Sequence, residues 1–348
     1  MSKKAQALIS DVHGSKERAA KNEAKLLRAE VKRLQEALDL EKVRSGVTEN
    51  LRETARKPVK IKHAARENLH KRLATPVLLC SDHHVGERVI ANRVNGVNAY
   101  DAQEAAKRAR RLADGMVWLI EHHRTSFEIR EAVIWLGGDL ITGFLHADQM
   151  QSNTLPPSKE VLLVQDLMGE LIDKVLAIPG MEKVIVPTSH GNHGRTTHKV
   201  QVATGADNSF EWLLYHQMRR TYSKDSRVEW HIADGEFNRL KVHNTNLGFT
   251  HGDICKFGGG VGGLTVPVLR AMPRWQTYGH CDLYNIGHFH TYMALPSLVV
   301  NGSLIGAAPY GMRVGALEEP AQAFYLVDST RGPCMHTPVW VSRRKGET

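Results

Sequence analysis

Five short apolar runs in this sequence each end in side chains that can bind a metal ion. Runs such as Val184-Ile185-Val186 predict buried strands, and open α/β sheets bind ligands beyond the carboxyl ends of their strands. We therefore expect one site that is assembled from distant parts of the chain. The side chains that follow the five runs are Asp82, His84, Asp139, Asn192, His251, His288 and His290.

The donor types in this set indicate which ions the site would hold. Carboxylate and amide oxygens mixed with imidazole nitrogens suit Mn, Fe or Zn. Seven donors are too many for one tetrahedral ion, but they suit two ions about 3.5–4 Å apart with one carboxylate between them. Such a pair activates water and clamps phosphoryl oxygens. The predicted cofactor is therefore two divalent ions, Mn²⁺ first and Fe or Zn as alternatives.

These residues stand in five ordered blocks that resemble the calcineurin-like metallophosphoesterases over residues 76–330. Further strings at 191–195, 250–253, 258–263 and 301–304 resemble a phage-encoded branch that is described as DNA-repair-exonuclease-like. The blocks are Asp82-His83-His84, Gly138-Asp139, Gly191-Asn192-His193, His251 and Gly287-His288-Phe289-His290.

The resemblance implies a role for each residue. Asp82, His84 and His290 would hold the first metal, and Asn192, His251 and His288 would hold the second. Asp139 would bridge the two ions, and a water between them would be the nucleophile. His193 would protonate the leaving oxygen or stabilise the transition state.

Two positions depart from the family pattern. Thr142 and Gly194 stand where many members have an acid, so the partner that orients His193 is open, with Asp253 and Asp148 as candidates. Arg195 and Lys199 follow the Gly-Asn-His block and are candidate ligands for substrate phosphates. Ordinary surface charge is the alternative for both.

Residues 76–348 alternate between predicted strands and helices and then become strand-rich, which predicts an α/β fold of two packed sheets flanked by helices. The helices are expected at 100–123, 158–177, 207–222 and 264–278, and the segment 140–157 is expected to be irregular. The strands are expected at 77–80, 132–136, 183–187, 227–233, 236–243, 246–250, 283–287, 298–301, 322–328 and 336–342.

The net charge of +9 is confined to residues 1–75, which hold 19 Lys and Arg against 10 Asp and Glu. Residues 76–348 hold 27 of each kind. We therefore predict two domains, a basic helical arm over 1–75 and a neutral catalytic domain over 76–348. Basic arms often bind nucleic acid, although a solvated charged helix has the same composition.

The arm carries a heptad seam over residues 16–45, with a predicted interruption at Ser45-Gly46 and a further basic helical segment over 47–73 that breaks at Pro58. The seam predicts either a coiled-coil dimer or packing on the main domain. Leu8 to Gly14 contain a second Asp-x-His, at Asp11, which a charged helix follows, so we expect no metal there. The seam residues are Ala20, Ala24, Leu27, Val31, Leu34 and Leu38.

The sequence thus predicts a two-metal phosphodiesterase that acts on nucleic acid. The alternatives are a small-molecule phosphatase or nucleotide phosphodiesterase with an oligomerising arm, and a metal-bound scaffold without activity. The first 75 residues have no apolar signal core, no window is apolar enough for a membrane span, and the four cysteines show no paired spacing. We therefore expect a reduced, cytoplasmic protein without membrane partners, in the host cytoplasm if the gene is carried by a phage.

Overall fold

The computed structural model describes residues 3–55, 71–145, 147–255, 263–314 and 318–342. The chain separates into two compact units, Met1–Leu69 and His70–Thr348. No helix among the described residues is both long enough and apolar enough to cross a membrane. The predicted domain boundary after residue 75 stays a prediction, and the first strand begins earlier, at Arg72.

The described part of the first unit is one long helix, α1 (Lys3–Ala55). It passes through Ser45 and Gly46 without a break, so the predicted interruption is wrong. A single glycine costs a helix only about 1 kcal/mol, and the Ser45 hydroxyl donates to the Lys42 carbonyl at 3.0 Å. Asp11 lies within α1, not after a strand. The predicted break at Pro58 lies outside the described residues.

The second unit contains four main helices near the predicted positions. Asp101 and Ser209 cap two of them, since their side chains accept the N–H groups of Glu104 and Trp212. Two short helices were not predicted, α3 (Ala147–Ser152) in the segment expected to be irregular and α7 (Pro309–Val314). The main helices are α2 (Ala102–His123), α4 (Pro157–Leu176), α5 (Phe210–Thr221) and α6 (Thr265–Trp275).

The strands form two sheets, and all ten predicted strands are present with ends that differ by a few residues. The short strands β2 and β9 were not predicted. The strands are β1 (Arg72–Cys80), β2 (Phe127–Glu128), β3 (Glu131–Leu136), β4 (Lys183–Pro187), β5 (Val228–His231), β6 (Asn238–Val242), β7 (Thr245–Thr250), β8 (Leu283–Ile286), β9 (Met293–Leu295), β10 (Leu298–Val300), β11 (Ala321–Asp328) and β12 (Gly332–Trp340).

The first sheet has the order β12-β11-β1-β3-β4-β5, with β2 beside β1, and the second has the order β6-β7-β8-β10-β9. Strands β1, β3, β4 and β5 are parallel, and so are β7, β8 and β10. Cys80 at the end of β1 pairs with Leu136 at the end of β3, and Leu136 bridges to Thr188 just after β4. The loops after β1, β3 and β4, which carry predicted ligands, therefore leave the first sheet at the same end of its strands.

Alternate residues of the strands enter different cores. Leu78 and Cys80 of β1 pack with the helices α2, α4 and α5, whereas Val77 and Leu79 pack against the second sheet. Helix α6 covers the other face of the second sheet with Val268. This sequence of layers confirms the predicted two-sheet α/β sandwich flanked by helices, with a helix at the N-terminus. Because the sheets are buried on both faces, the polar loops at the strand ends are where the chain can assemble a site.

Candidate metal centre

Two groups of acidic and imidazole side chains lie at the carboxyl ends of the parallel strands. Asp82, His84 and His290 form one group, in which a ligand atom of each residue lies within 4.8 Å of the others. Asp139, His251 and His288 form a second group of the same kind. The loops after β1, β3, β7 and β8 supply these six side chains, as the sequence predicted.

The first group has its donor atoms directed at one another. Nε2 of His84 lies 3.2 Å from Nε2 of His290, and the latter atom lies 3.4 Å from Oδ1 of Asp82. Both carboxylate oxygens of Asp82 also accept the backbone N–H of His288 at 3.0 Å. Asp82 is fully buried, so its carboxylate is held within a cluster of potential ligands.

The second group is centred on Asp139. Oδ2 of Asp139 lies 3.1 Å from Nε2 of His251, while Oδ1 accepts the backbone N–H of His193 at 2.8 Å. Nδ1 of His251 lies 2.8 Å from the carbonyl oxygen of Gly137. Since that oxygen can only accept, Nδ1 carries the proton and Nε2 is left to face the carboxylate.

Asn192, the seventh predicted ligand, follows a glycine that lies against Asp139. A Cβ on Gly191 would be 2.1 Å from Oδ1 and 2.3 Å from the backbone nitrogen of Asp139, a space that only glycine can occupy. Oδ1 of Asn192 is buried and is hydrogen-bonded to no described residue. Because a buried polar atom rarely lacks a partner, this oxygen fits a ligand to a cation.

Five of the seven predicted ligands have a left-handed backbone. Their φ angles are between 49° and 70°, a region that L-residues other than glycine seldom adopt. Strained backbone of this kind collects at functional sites, where the surrounding structure enforces it. The left-handed ligands are Asp82, His84, Asp139, His288 and His290.

The electrostatics of both groups favour ionised carboxylates. Burial opposes ionisation of Asp82, but its hydrogen bond to His290 and the charge of that imidazole lower its pKa to about 2. Burial likewise opposes ionisation of Asp139, but the charge of His251 lowers its pKa well below the ordinary value. Burial lowers the pKa of His84 well below the ordinary value, which keeps its imidazole neutral. The carboxylates are thus in the anionic form that a divalent cation requires. Although burial lowers the pKa values of His251 and His290, their carboxylate neighbours raise them overall, so these two imidazoles would release a proton when a cation binds.

These observations fit a pair of divalent cations. The donors are carboxylate, amide and imidazole, a mixture that suits Mn, Fe or Zn. Asp82, His84 and His290 would hold one ion, and Asp139, Asn192, His251 and His288 would surround the other.

His193 lies at the edge of the centre, where its ring meets that of His84 edge-on with centroids 4.7 Å apart. Its Nδ1 lies 3.0 Å from the carbonyl oxygen of Thr142. The backbone of Thr142 therefore helps to orient His193. The role of Asp253 as its partner stays a prediction, and the side chain of Asp148 lies outside the described residues. Because the carbonyl oxygen can only accept, Nδ1 holds a proton and Nε2 is the atom that can exchange one.

The two predicted substrate ligands have different surroundings. Arg195 is half-buried, and its guanidinium donates to the carbonyl oxygens of Asn192 at 3.0 Å and Thr197 at 3.2 Å. Arg195 thus braces the loop that carries Asn192, and it also lines a pocket beside that residue with His190, Glu236 and Asp253. Lys199 is exposed. Phosphate binding by Arg195 and Lys199 stays a prediction.

Several supporting residues were not predicted from the sequence. The Ser81 hydroxyl donates to Oδ2 of Asp82 at 2.5 Å, and the Asn301 amide donates to the Ser81 oxygen at 2.9 Å. Two buried carboxylates on helices, Glu160 and Glu211, accept backbone N–H groups from the loop after β3. An acidic residue in the first turn of a helix carries no local sign of such a role.

No protein-family model matches the sequence, and no curated protein matches it. Solved structures that it is similar to include a predicted phosphoesterase from Streptococcus pneumoniae, at 10% identity and TM-score 0.29 over 73% of this chain and 84% of that one. Vps29 from Entamoeba histolytica, solved with zinc, has 13% identity and TM-score 0.30 over 77% and 99%. A hypothetical protein from Pyrococcus horikoshii has 14% identity and TM-score 0.34 over 76% and 88%. At such low identities and TM-scores these similarities assign neither family nor function, so the site geometry has to carry the functional argument.

Proposed function

We propose that this protein is a two-metal phosphoesterase that hydrolyses phosphodiester bonds in nucleic acid. The observation that carries the reaction class is the pair of buried ligand groups around Asp82 and Asp139, with His193 beside them. When bound, two divalent cations supply charge to the phosphoryl oxygens and lower the pKa of water.

The residues of the chain divide the remaining work. Asp82, His84 and His290 would hold one cation, and Asn192, His251 and His288 the other. Asp139 would lie between the ions. Its Oδ2 lies 3.1 Å from Nε2 of His251, in the second group, and the charge of His84, in the first group, also helps to lower the pKa of Asp139, although burial opposes this.

His193 is suited to proton transfer because its ring lies beside a predicted metal ligand and the protein backbone fixes the proton on its Nδ1. Thr142 holds the proton on Nδ1, so Nε2 would deliver a proton to the leaving oxygen of the ester. General-acid catalysis of this kind contributes about 10²–10⁴-fold to a rate. The imidazole of His193 lies beside that of His84, a predicted ligand. His193 would therefore act at the metal centre without binding a cation itself.

The proposal of nucleic acid as substrate is supported by the distribution of charge. All of the formal excess of +9 lies in residues 1–75, and residues 76–348 are neutral. Lysine and arginine side chains that contact phosphates release condensed counterions, which makes binding to nucleic acid steeply dependent on salt. A neutral catalytic domain would obtain this attraction from its arm.

The reaction class is tested by supplying Mn²⁺ and measuring hydrolysis of nitrophenyl phosphodiesters and of poorer leaving groups. His193→Ala should keep the bound metal and lose about 10²–10⁴-fold in rate on poor leaving groups. The loss should be smaller with nitrophenol, which needs no proton. An equal loss for both would show that His193 positions the phosphate instead, and an inactive wild-type protein with two bound ions would refute the enzymatic proposal.

The substrate class is tested by neutralising basic residues of α1 while Leu27, Val31, Leu34 and Leu38 are kept. Binding to long DNA or RNA should weaken, and its dependence on salt should flatten. Hydrolysis of a small phosphodiester should be unchanged, because every proposed ligand lies at Asp82 or later. Unchanged binding at low and high salt would favour the alternative, a small-molecule phosphoesterase with an arm that serves assembly.

A further inference from the structure

A buried carboxylate on α5 connects the two loops that carry Asp139 and Asn192. Oε1 of Glu211 accepts the backbone N–H of Leu140 at 2.6 Å, and Oε2 accepts that of Gly191 at 2.7 Å. Leu140 follows Asp139, and Gly191 precedes Asn192. Glu211 is fully buried, so the two loops are joined through a carboxylate that solvent cannot replace.

The space for this carboxylate depends on Gly194. A Cβ at position 194 would lie 2.8 Å from Cγ and 3.0 Å from Oε2 of Glu211. An acidic side chain directly after the Gly-Asn-His block would therefore meet Glu211. Gly194, which departs from the expected pattern, thus leaves the space that the Glu211 side chain occupies.

We infer that Glu211 is a positioning residue that fixes the ligands of the second cation, and that it requires both carboxylate oxygens for this role. The inference rests on the proposed metal centre. One oxygen holds the Asp139 loop and the other holds the Asn192 loop, so a side chain with a single acceptor can hold only one of them.

Glu160 provides a matched comparison. It is also fully buried, but a single oxygen, Oε2, accepts both of its backbone donors, Thr142 N–H and Gly143 N–H, each at 2.9 Å. Glutamine at position 160 can keep both backbone bonds through its one carbonyl oxygen and loses only the 3.4 Å bond that Oε1 accepts from the Asn153 amide. Glutamine at position 211 has one carbonyl oxygen and one NH₂ group. On one side its NH₂ group would face a backbone N–H, and that hydrogen bond would be lost.

The test is a titration of the wild-type protein, Glu211→Gln and Glu160→Gln with Mn²⁺ at about pH 8, above the pKa of about 7 to which burial raises both carboxyl groups. The free ion is followed by its electron paramagnetic resonance signal. Glu211→Gln should bind the first ion with unchanged affinity and the second about 10–100-fold more weakly. Glu160→Gln should bind both ions as the wild type does, and circular dichroism should show that both variants are folded.

Three results would decide against the inference. Unchanged second-ion affinity in Glu211→Gln would show that the carboxylate is only structural. Equal weakening of both ions, or the same loss in Glu160→Gln, would indicate a general effect of removing a buried charge. Phosphoesterase activity is measured separately, so a protein that binds two ions but hydrolyses no ester would refute the proposed function without affecting this test.

A second proposal comes from the charge pattern of α1. Leu27, Val31, Leu34 and Leu38 repeat at spacings of 4, 3 and 4 and are between 53% and 60% exposed. In heptad terms, leucine stands at d in residues 27 and 34, and valine and leucine stand at a in residues 31 and 38. This combination favours two parallel strands.

The flanking charges complement a second copy in the parallel orientation. The charged e positions are Lys21, Arg28, Lys42 and Glu49, and the charged g positions are Glu23, Glu30 and Arg44. Parallel helices place g beside the following e of the partner, so Glu23 would face an arginine at position 28 and Arg44 a glutamate at position 49. Antiparallel helices place e beside e, which brings the basic residues Lys21 and Lys42 together. We propose that α1 forms a parallel two-stranded coiled coil with another copy of this chain.

Light scattering on the full chain tests this proposal. The wild type should have the mass of a dimer and Leu34→Ala should shift toward monomer, whereas Leu40→Ala should not, because Leu40 is 73% exposed and lies off the seam. Ala20→Cys should form an interchain disulfide on oxidation, since parallel helices bring equivalent d positions together. A monomeric wild type would refute the coiled coil, and a dimer without this disulfide would refute the parallel orientation.

Discussion

The contact between Gly191 and Asp139 gives the sharpest test of the proposed centre. In Gly191→Ala the new Cβ would lie 2.1 Å from Oδ1 and 2.3 Å from the backbone nitrogen of Asp139. Ordinary contacts begin near 3.4 Å, so the two loops must separate by about 1 Å, as over-packing substitutions force neighbouring backbone to do.

A displacement of this size has two measurable consequences. Misplacement of catalytic groups by about 1 Å costs on the order of 10²-fold in rate, so kcat/KM for a phosphodiester should fall by that factor. Over-packing costs about 1–3 kcal/mol of unfolding free energy, which corresponds to a fall in Tm of several degrees for a domain of this size. Bound Mn²⁺ per chain should fall below two.

Gly235→Ala is the control, because a Cβ there meets nothing within 4 Å. It should leave kcat/KM, metal content and Tm unchanged. Gly191→Ala could instead keep two bound ions and a kcat/KM within about twofold of the wild type. That result would show that the close contact between Gly191 and Asp139 does not determine the geometry of the site.

Three further predictions follow from individual residues. Asp139→Asn removes the central charge and should abolish both second-ion binding and turnover, whereas Asp11→Asn in α1 should leave the metal content, measured by mass spectrometry, unchanged. Burial raises the pKa of Glu160 from 4.5 to about 7, so its contribution to stability is present below pH 4.5 and is lost as the pH rises through 7. Urea unfolding between about pH 5 and pH 8 should therefore show the wild type losing about 3 kcal/mol relative to Glu160→Gln, and parallel curves would contradict this. Gly46→Ala should stabilise α1 by about 0.5–1 kcal/mol, which circular dichroism would show as a higher melting temperature of the helix. An unchanged melting temperature would show that Gly46 does not lower the stability of α1.

The sequence was sufficient to predict the class of fold and to propose the ligands, because both depend on local patterns. Apolar runs of strand length, each followed by a polar residue such as Asp139 or His251, predict parallel strands whose ends meet at one edge. Side-chain type then indicates a hard or borderline metal. Each of these signals is carried within a few residues of the chain, so no knowledge of distant contacts was required.

The tertiary structure alone determined how these residues are held. His193 Nδ1 is held by a backbone carbonyl, that of Thr142, and a carbonyl group is present at every position of any sequence. Glu211 lies 71 residues after Leu140 and 20 after Gly191, and an acid in the first turn of a helix is common without a distant role. The left-handed backbone at Asp82 and Asp139 was equally hidden, because side-chain identity indicates it only for glycine. Hydrogen bonds to backbone groups and close loop contacts depend on which segments the fold brings together, and the packing of the two sheets decides that.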